Sequence, residues 1–179
     1  MSEESESPTL FGKKKVRVVG LREDWAMIPL AVFFLLGLIF LVLDFAYIQG
    51  LVFQPIYVII GVPLFVIGAA YRTLALWSLN KAVIGDVISI KILQIVEGHR
   101  LLTDGYYKHI RHPSYLGAIV LVFGMGITFT GLYGLAVMTI GLPFLHFRIE
   151  TEEKMLIEAF GEEYRECQKR TNKLIPFLY

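Results

Sequence analysis

The chain contains one cysteine, Cys167, so no intramolecular disulfide can staple it and the redox compartment is left open. It has no basic stripe standing apart from its apolar segments, and its net charge is only +1. Both features argue against a nucleic-acid partner. Internal repeats are missing, and biased composition is confined to the acidic, serine-rich start at residues 1–7. No small-residue cleavage site follows the polar residues 1–24, so the first apolar run is expected to be retained rather than removed as a signal peptide. Those residues instead read as a frayed cytoplasmic tail, with Lys13, Lys14, Lys15 and Arg17 near anionic headgroups.

What the chain has in excess is apolar surface. Of its 179 residues 55% are hydrophobic, and the mean hydropathy is +0.60, against roughly 45–50% apolar in soluble domains. Residues 25–43 form an uncharged run long enough to cross a hydrocarbon core about 30 Å thick. Trp25 and Tyr47 flank it where aromatic belts form. A second run covers residues 51–71, with Pro63 inside it, a residue tolerated where neighbouring helices repair the freed carbonyl. Arg72 ends its uncharged part, while Leu74, Ala75, Leu76, Trp77 and Leu79 carry the helix on to the surface. Residues 80–91 read as a loop or a short interfacial helix.

Residues 115–147 contain no Asp, Glu, Lys or Arg and are too long for one crossing. Gly131-Leu132-Tyr133-Gly134 predicts a tight turn at their middle, hence a hairpin of two short helices. Gly117, Gly124 and Gly126 would let a neighbouring backbone or a ligand come close. Residues 148–171 predict an amphipathic helix through Ile149, Leu156, Phe160 and Tyr164, with Pro176 beyond its end. The expected fold is therefore all-α, a polytopic membrane helix bundle of four spans to which this helix can add a fifth. It divides into a cytoplasmic tail (1–24), a two-helix anchor (25–79) and a C-terminal catalytic half (80–179). Four spans put all 17 Lys and Arg on one side of the bilayer. The positive-inside rule makes that side cytoplasmic, with both termini and the active site facing it.

The chemistry concentrates in residues 94–115, which gather three histidines, two arginines and several tyrosines between apolar runs. Polar groups beside a hydrophobic wall are costly unless partnered, so this stretch reads as the mouth of a binding site at the membrane surface. Thr103-Asp104-Gly105 is a turn signal, and His112-Pro113 begins a helix. His112 is there a capping residue, or part of a helix N-terminus offered to an anion. No carboxylate or thiolate stands at ligand spacing from the histidines, so no metal site is expected. Arg148 and Glu152 share one helix face with Leu145, Met155 and Ala159. They form a structural salt bridge, or else Arg148 clamps a carboxylate while Glu152 accepts from an amine or hydroxyl. Glu150, Glu153, Glu162 and Glu163 read as surface charges. Tyr106, Tyr107 and Tyr115 anchor at the interface or face a sulfonium or ammonium cation.

Three blocks then carry a resemblance: H-R-L-L-T-D-G-Y-Y-K-H-I-R-H-P-S-Y-L-G, R-I-E-T-E-E-K-M-L-I-E-A-F-G-E-E-Y, and a closing L-I-P-F. Over residues 94–177 the chain resembles the isoprenylcysteine carboxyl methyltransferase family and its prokaryotic relatives. The Arg-His-Pro-x-Tyr block with its Glu-Glu pair is shared more loosely with phospholipid N-methyltransferases. The resemblance implies an integral membrane enzyme using S-adenosylmethionine, which agrees with the lack of a glycine-rich nucleotide fingerprint after a strand. It implies cofactor contacts at Gln94, His99, Arg100, Leu101, Leu102, Tyr107, His112, Pro113, Ser114 and Tyr115, and catalytic roles for Arg148 and Glu152. The acceptor would be a lipophilic prenylated thioether bearing a carboxylate, delivered by membrane lipid, with no obligatory protein partner. The rival expectations are a phospholipid or small-amine N-methyltransferase, a non-catalytic lipid-binding scaffold, and an NADPH-dependent membrane reductase.

Overall fold

A computed structural model describes residues 16–18, 24–47, 55–83, 94–96 and 101–175. Among these residues six α-helices form: α1 (Met27–Tyr47), α2 (Pro55–Val83), α3 (Pro113–Thr128), α4 (Leu132–Ile140), α5 (Leu142–Phe160) and the polar α6 (Glu162–Arg170). Two three-residue strands, β1 (Val16–Val18) and β2 (Gln94–Val96), pair antiparallel with Arg17 opposite Ile95. The regular structure of the described residues is otherwise helical. Met27–Tyr47, Pro55–Leu79 and the nearly continuous Leu132–Phe160 are long and apolar enough to cross a membrane, and α3 is a shorter apolar helix. Their outer faces leave Leu35, Val42, Ile59 and Ile67 exposed. A contiguous apolar exterior of this extent suits lipid and not water.

Two helix pairs form the bundle, α1 against α4 and α2 against α3. Glycine permits both. A Cβ at Gly117 of α3 would lie 2.7 Å from the Arg72 nitrogen of α2, and one at Gly134 of α4 would lie 2.7 Å from the Gly37 carbonyl oxygen of α1. The close approach read from Gly117 and Gly124 is thus realised, with α2 as the neighbour. At the far end of α1, buried Asp44 accepts hydrogen bonds on Oδ2 from the backbone N–H groups of Tyr133 (2.9 Å) and Gly134 (3.2 Å). A carboxylate from one helix therefore caps the first turn of another.

Four details depart from the sequence reading. The hairpin turns at residues 129–131, not across Gly131–Gly134, because Thr130 adopts φ 45° and Gly134 is spent on packing against α1. Residues 148–171 are not one helix: α5 begins at Leu142 and stops at Gly161, whose φ of 55° reverses the backbone before α6. Helix α2 runs on to Val83, past the boundary expected at residue 79, and the remainder of 80–91 lies outside the described residues. Finally, the expected tail is engaged: β1 pairs with β2, and Asp24 is buried.

Candidate functional site

The site forms where the start of α3 meets the middle of α5. Gly105 takes φ 61°, as the turn signal requires, and leads into a 3₁₀ turn at Gly105–Tyr107. Tyr107 is buried there and donates from its hydroxyl to the Ala75 carbonyl oxygen of α2 at 3.3 Å. Pro113 then opens α3 with His112 as its N-cap, as expected, although the imidazole makes no capping hydrogen bond. Instead it turns toward α5. Its Nδ1 lies 3.9 Å from Glu152 Oε2, and its Nε2 lies 3.3 Å from Glu153 Oε1.

One helical turn on, Tyr115 joins the two residues expected to be catalytic. Its hydroxyl accepts from Arg148 Nε at 3.0 Å and donates to Glu152 Oε2 at 2.9 Å. Arg148 and Glu152 therefore act through a shared phenol and do not form the simple salt bridge that their spacing allowed. Ser114 contributes through its carbonyl oxygen, which accepts from Arg72 Nη1 at 2.9 Å. Leu101 and Leu102 are half-buried ahead of the turn, and the backbone of Gln94 lies in β2. His99 and Arg100 lie outside the described residues.

The sequence reading missed two residues here. Glu153 is no surface charge: it is buried and accepts on Oε1 from Arg111 Nε at 2.7 Å and on Oε2 from Gln168 Nε2 at 3.2 Å. Arg111 also donates to the carbonyl oxygens of Gln168 (3.3 Å) and Thr171, satisfying the C-terminal end of α6. Backbone bonds from Arg111 N to Asn172 O (2.9 Å) and from Asn172 N to His109 O (3.0 Å) lay the segment after α6 along the loop before α3. Glu153 follows buried Ile149 by four residues, so the helical period did carry that signal. The second omission is Asp24, 5% exposed, whose Oδ2 accepts from Arg148 Nη1. No period links residue 24 to residue 148.

Burial raises the Asp24 carboxyl from its ordinary value, against the opposing pull of the Arg148 charge and hydrogen bond. Burial likewise raises the Tyr107 and Tyr164 phenols, with Glu152 adding to the rise at Tyr107 and Glu153 at Tyr164. These phenols stay protonated, which is the form in which Tyr107 makes its hydrogen bond. Beside the site, an apolar cleft of about 150 Å³ opens between α2 and α3, lined by Ile67, Gly68, Tyr71, Leu116, Gly117 and Val120. Tyr71 stacks edge-on to Tyr106 at 5.4 Å above it.

The chain is similar to known proteins. A protein-S-isoprenylcysteine O-methyltransferase from Schizosaccharomyces pombe is 33% identical over 81 residues, 45% of this chain and 34% of that one. A methanethiol S-methyltransferase from Bradyrhizobium diazoefficiens is 40% identical over 79 residues, 44% of this chain and 27% of the relative. The chain thus spans about a third or less of the length of these two relatives. The structure of a eukaryotic intramembrane Ras methyltransferase superposes with a TM-score of 0.65 at 23% identity, over 83% of this chain and 52% of that one, and so shares the fold. A family model matches residues 58–158, more than half of the sequence and the part of the site from Arg72 to Glu153. By that match the chain belongs to the isoprenylcysteine carboxyl methyltransferase family.

Proposed function

We propose that the protein is an integral membrane methyltransferase that uses S-adenosylmethionine to esterify the carboxylate of a lipophilic, isoprenylcysteine-like thioether. The observation that carries this reading is the Arg148–Tyr115–Glu152 unit, a guanidinium and a carboxylate held by one phenol, with Tyr115 next in the chain to Leu116 of the apolar cleft. The bound cofactor would supply an electrophilic methyl group on a sulfonium. A carboxylate is ionised at neutral pH, so its attack needs no general base, and Arg148 has only to orient it. The donor set fits such a cofactor. Glu152 is the more open of the two glutamates, with 21% of its side chain exposed against 9% for Glu153. Its Oε1 has no hydrogen bond among the described residues and can accept from an ammonium. Tyr107, His112 and Tyr115 supply rings that suit a cation. With Leu101, Leu102, Pro113 and Ser114 they would form the cofactor wall, joined by Gln94, His99 and Arg100. The acceptor's apolar tail would lie in the cleft between α2 and α3.

The topology we infer has four crossings: α1, α2, α3 and the combined α4–α5 run. Two ties at opposite ends support it, Arg72 to Ser114 at one and Asp44 to Tyr133 at the other. Every basic residue then falls at the Arg72 end, which we assign to the cytoplasm together with both termini and the site. In this reading residues 25–79 anchor the protein and the chain beyond them carries the chemistry. Purified protein in detergent should be given radiolabelled S-adenosylmethionine with S-farnesyl cysteine, phosphatidylethanolamine and methanethiol in parallel. Base-labile methyl ester on the first acceptor is the expected product. Label found only as stable N-methyl or S-methyl would overturn the carboxylate assignment.

A further inference from the structure

Arg148, assigned above to an incoming carboxylate, already holds one. Asp24 sits just before α1, reaches Arg148 Nη1 through Oδ2, and is 5% exposed. Its other oxygen, Oδ1, is buried with no hydrogen-bond partner among the described residues. Among the described residues this buried carboxylate is therefore satisfied through one oxygen only. Arg148 is also only partly used. Nε donates to Tyr115 and Nη1 to Asp24, while Nη2 has no acceptor among the described residues.

We propose that Asp24 is a resident stand-in for the acceptor carboxylate: it neutralises Arg148 while the site is empty and withdraws when the acceptor arrives. This rests on the carboxylate-acceptor reading above. A buried guanidinium without a counter-charge is strongly destabilising, so an unloaded site needs a resident anion. Two carboxylates on one buried guanidinium repel each other, so resident and acceptor exclude one another. The exchange favours the acceptor because its two oxygens can take Nη1 and Nη2 together as a fork, whereas among the described residues Asp24 is held through one oxygen. Asp24 is also on a short lead. Residues 24–26 form a turn whose Asp24 carbonyl oxygen accepts from Met27 N, so the side chain can swing out without unwinding α1.

Trp25 makes the exchange visible. Its ring packs on Phe147 at 5.6 Å and on Phe144 at 6.2 Å, immediately before Arg148 on α5, and it adjoins Asp24 in the chain. Replacing exposed Trp77 by Phe leaves Trp25 as the sole tryptophan. In W77F protein, S-farnesyl cysteine should shift the Trp25 emission, and its methyl ester, which has no carboxylate, should not. In D24N protein, with its folding checked by thermal unfolding in the same detergent, the acceptor KM should fall about three- to tenfold. A Trp25 spectrum that stays unchanged with saturating acid overturns the proposal whether or not the acid is methylated. So does a D24N enzyme whose KM rises, or whose kcat collapses at unchanged KM, which would make Asp24 a positioning residue for Arg148. An acid that shifts Trp25 but is never methylated would instead sink the proposed function and leave the stand-in intact.

Discussion

Replacing Tyr115 by Phe removes a single oxygen atom and keeps the ring that fills the gap between α3 and α5. That oxygen makes two hydrogen bonds to charged groups, 3.0 Å from Arg148 Nε and 2.9 Å to Glu152 Oε2. Each such bond is worth about 1.5–3 kcal/mol. The two losses are unequal. Glu152 has 21% of its side chain exposed and can recruit water, whereas Arg148 is 8% exposed and its Nε would be left without a partner. Weighting toward the arginine gives a loss of about 2–3 kcal/mol, and at 1.36 kcal/mol per decade kcat/KM falls roughly 30- to 160-fold. Methyl transfer to the lipophilic acid measures this directly, and thermal unfolding in the same detergent separates a disordered site from an unfolded one. A Y115F/E152Q double variant should lose less than the product of its single losses, because the phenol serves both residues. A Y115F enzyme keeping a third or more of wild-type kcat/KM refutes the bridging role.

Two further outcomes concern stability. Glu153→Gln removes the charge on which Arg111, His112 and Gln168 converge, and breaking a buried pair of this kind costs about 3–5 kcal/mol. The variant should unfold at markedly lower temperature and expose α6 to protease; an unchanged melting temperature would show the cluster to be ornamental. Asp44→Ala strips the cap from α4 and should cost about 1–2 kcal/mol in the same unfolding assay, a loss absent if water or lipid headgroups take over the two N–H groups.

The sequence carried the helices and half of the site for a plain reason. Apolar runs, the His112-Pro113 start and the four-residue spacing of Arg148 and Glu152 are local patterns, and local patterns survive in one dimension. Gly131 and Gly134 misled because a glycine serves a turn or a close helix contact equally well, and only the partner helix decides between them. Gly161 was passed over inside an otherwise continuous amphipathic pattern. Glu153 lay beside Glu152, where a solvent-facing assignment ignored its spacing from Ile149. Asp24 could not be found at all by pattern. Its partner is 124 residues away, and the bundle alone brings them together.

The way the helices pair has a consequence for how the proposed acceptor would reach Arg148. With α1 against α4 and α2 against α3, the bundle is two slabs, each locked internally by backbone contact at glycine. Between the slabs, the contact at the site is made by side chains, Arg148 Nε to the Tyr115 hydroxyl. Arg148 and Asp24 stand on one side of that contact, and Tyr115 and Arg72 on the other. In the proposed reading the acceptor's tail lies along the α2–α3 slab and its carboxylate reaches across to Arg148 where Tyr115 ties the two slabs together.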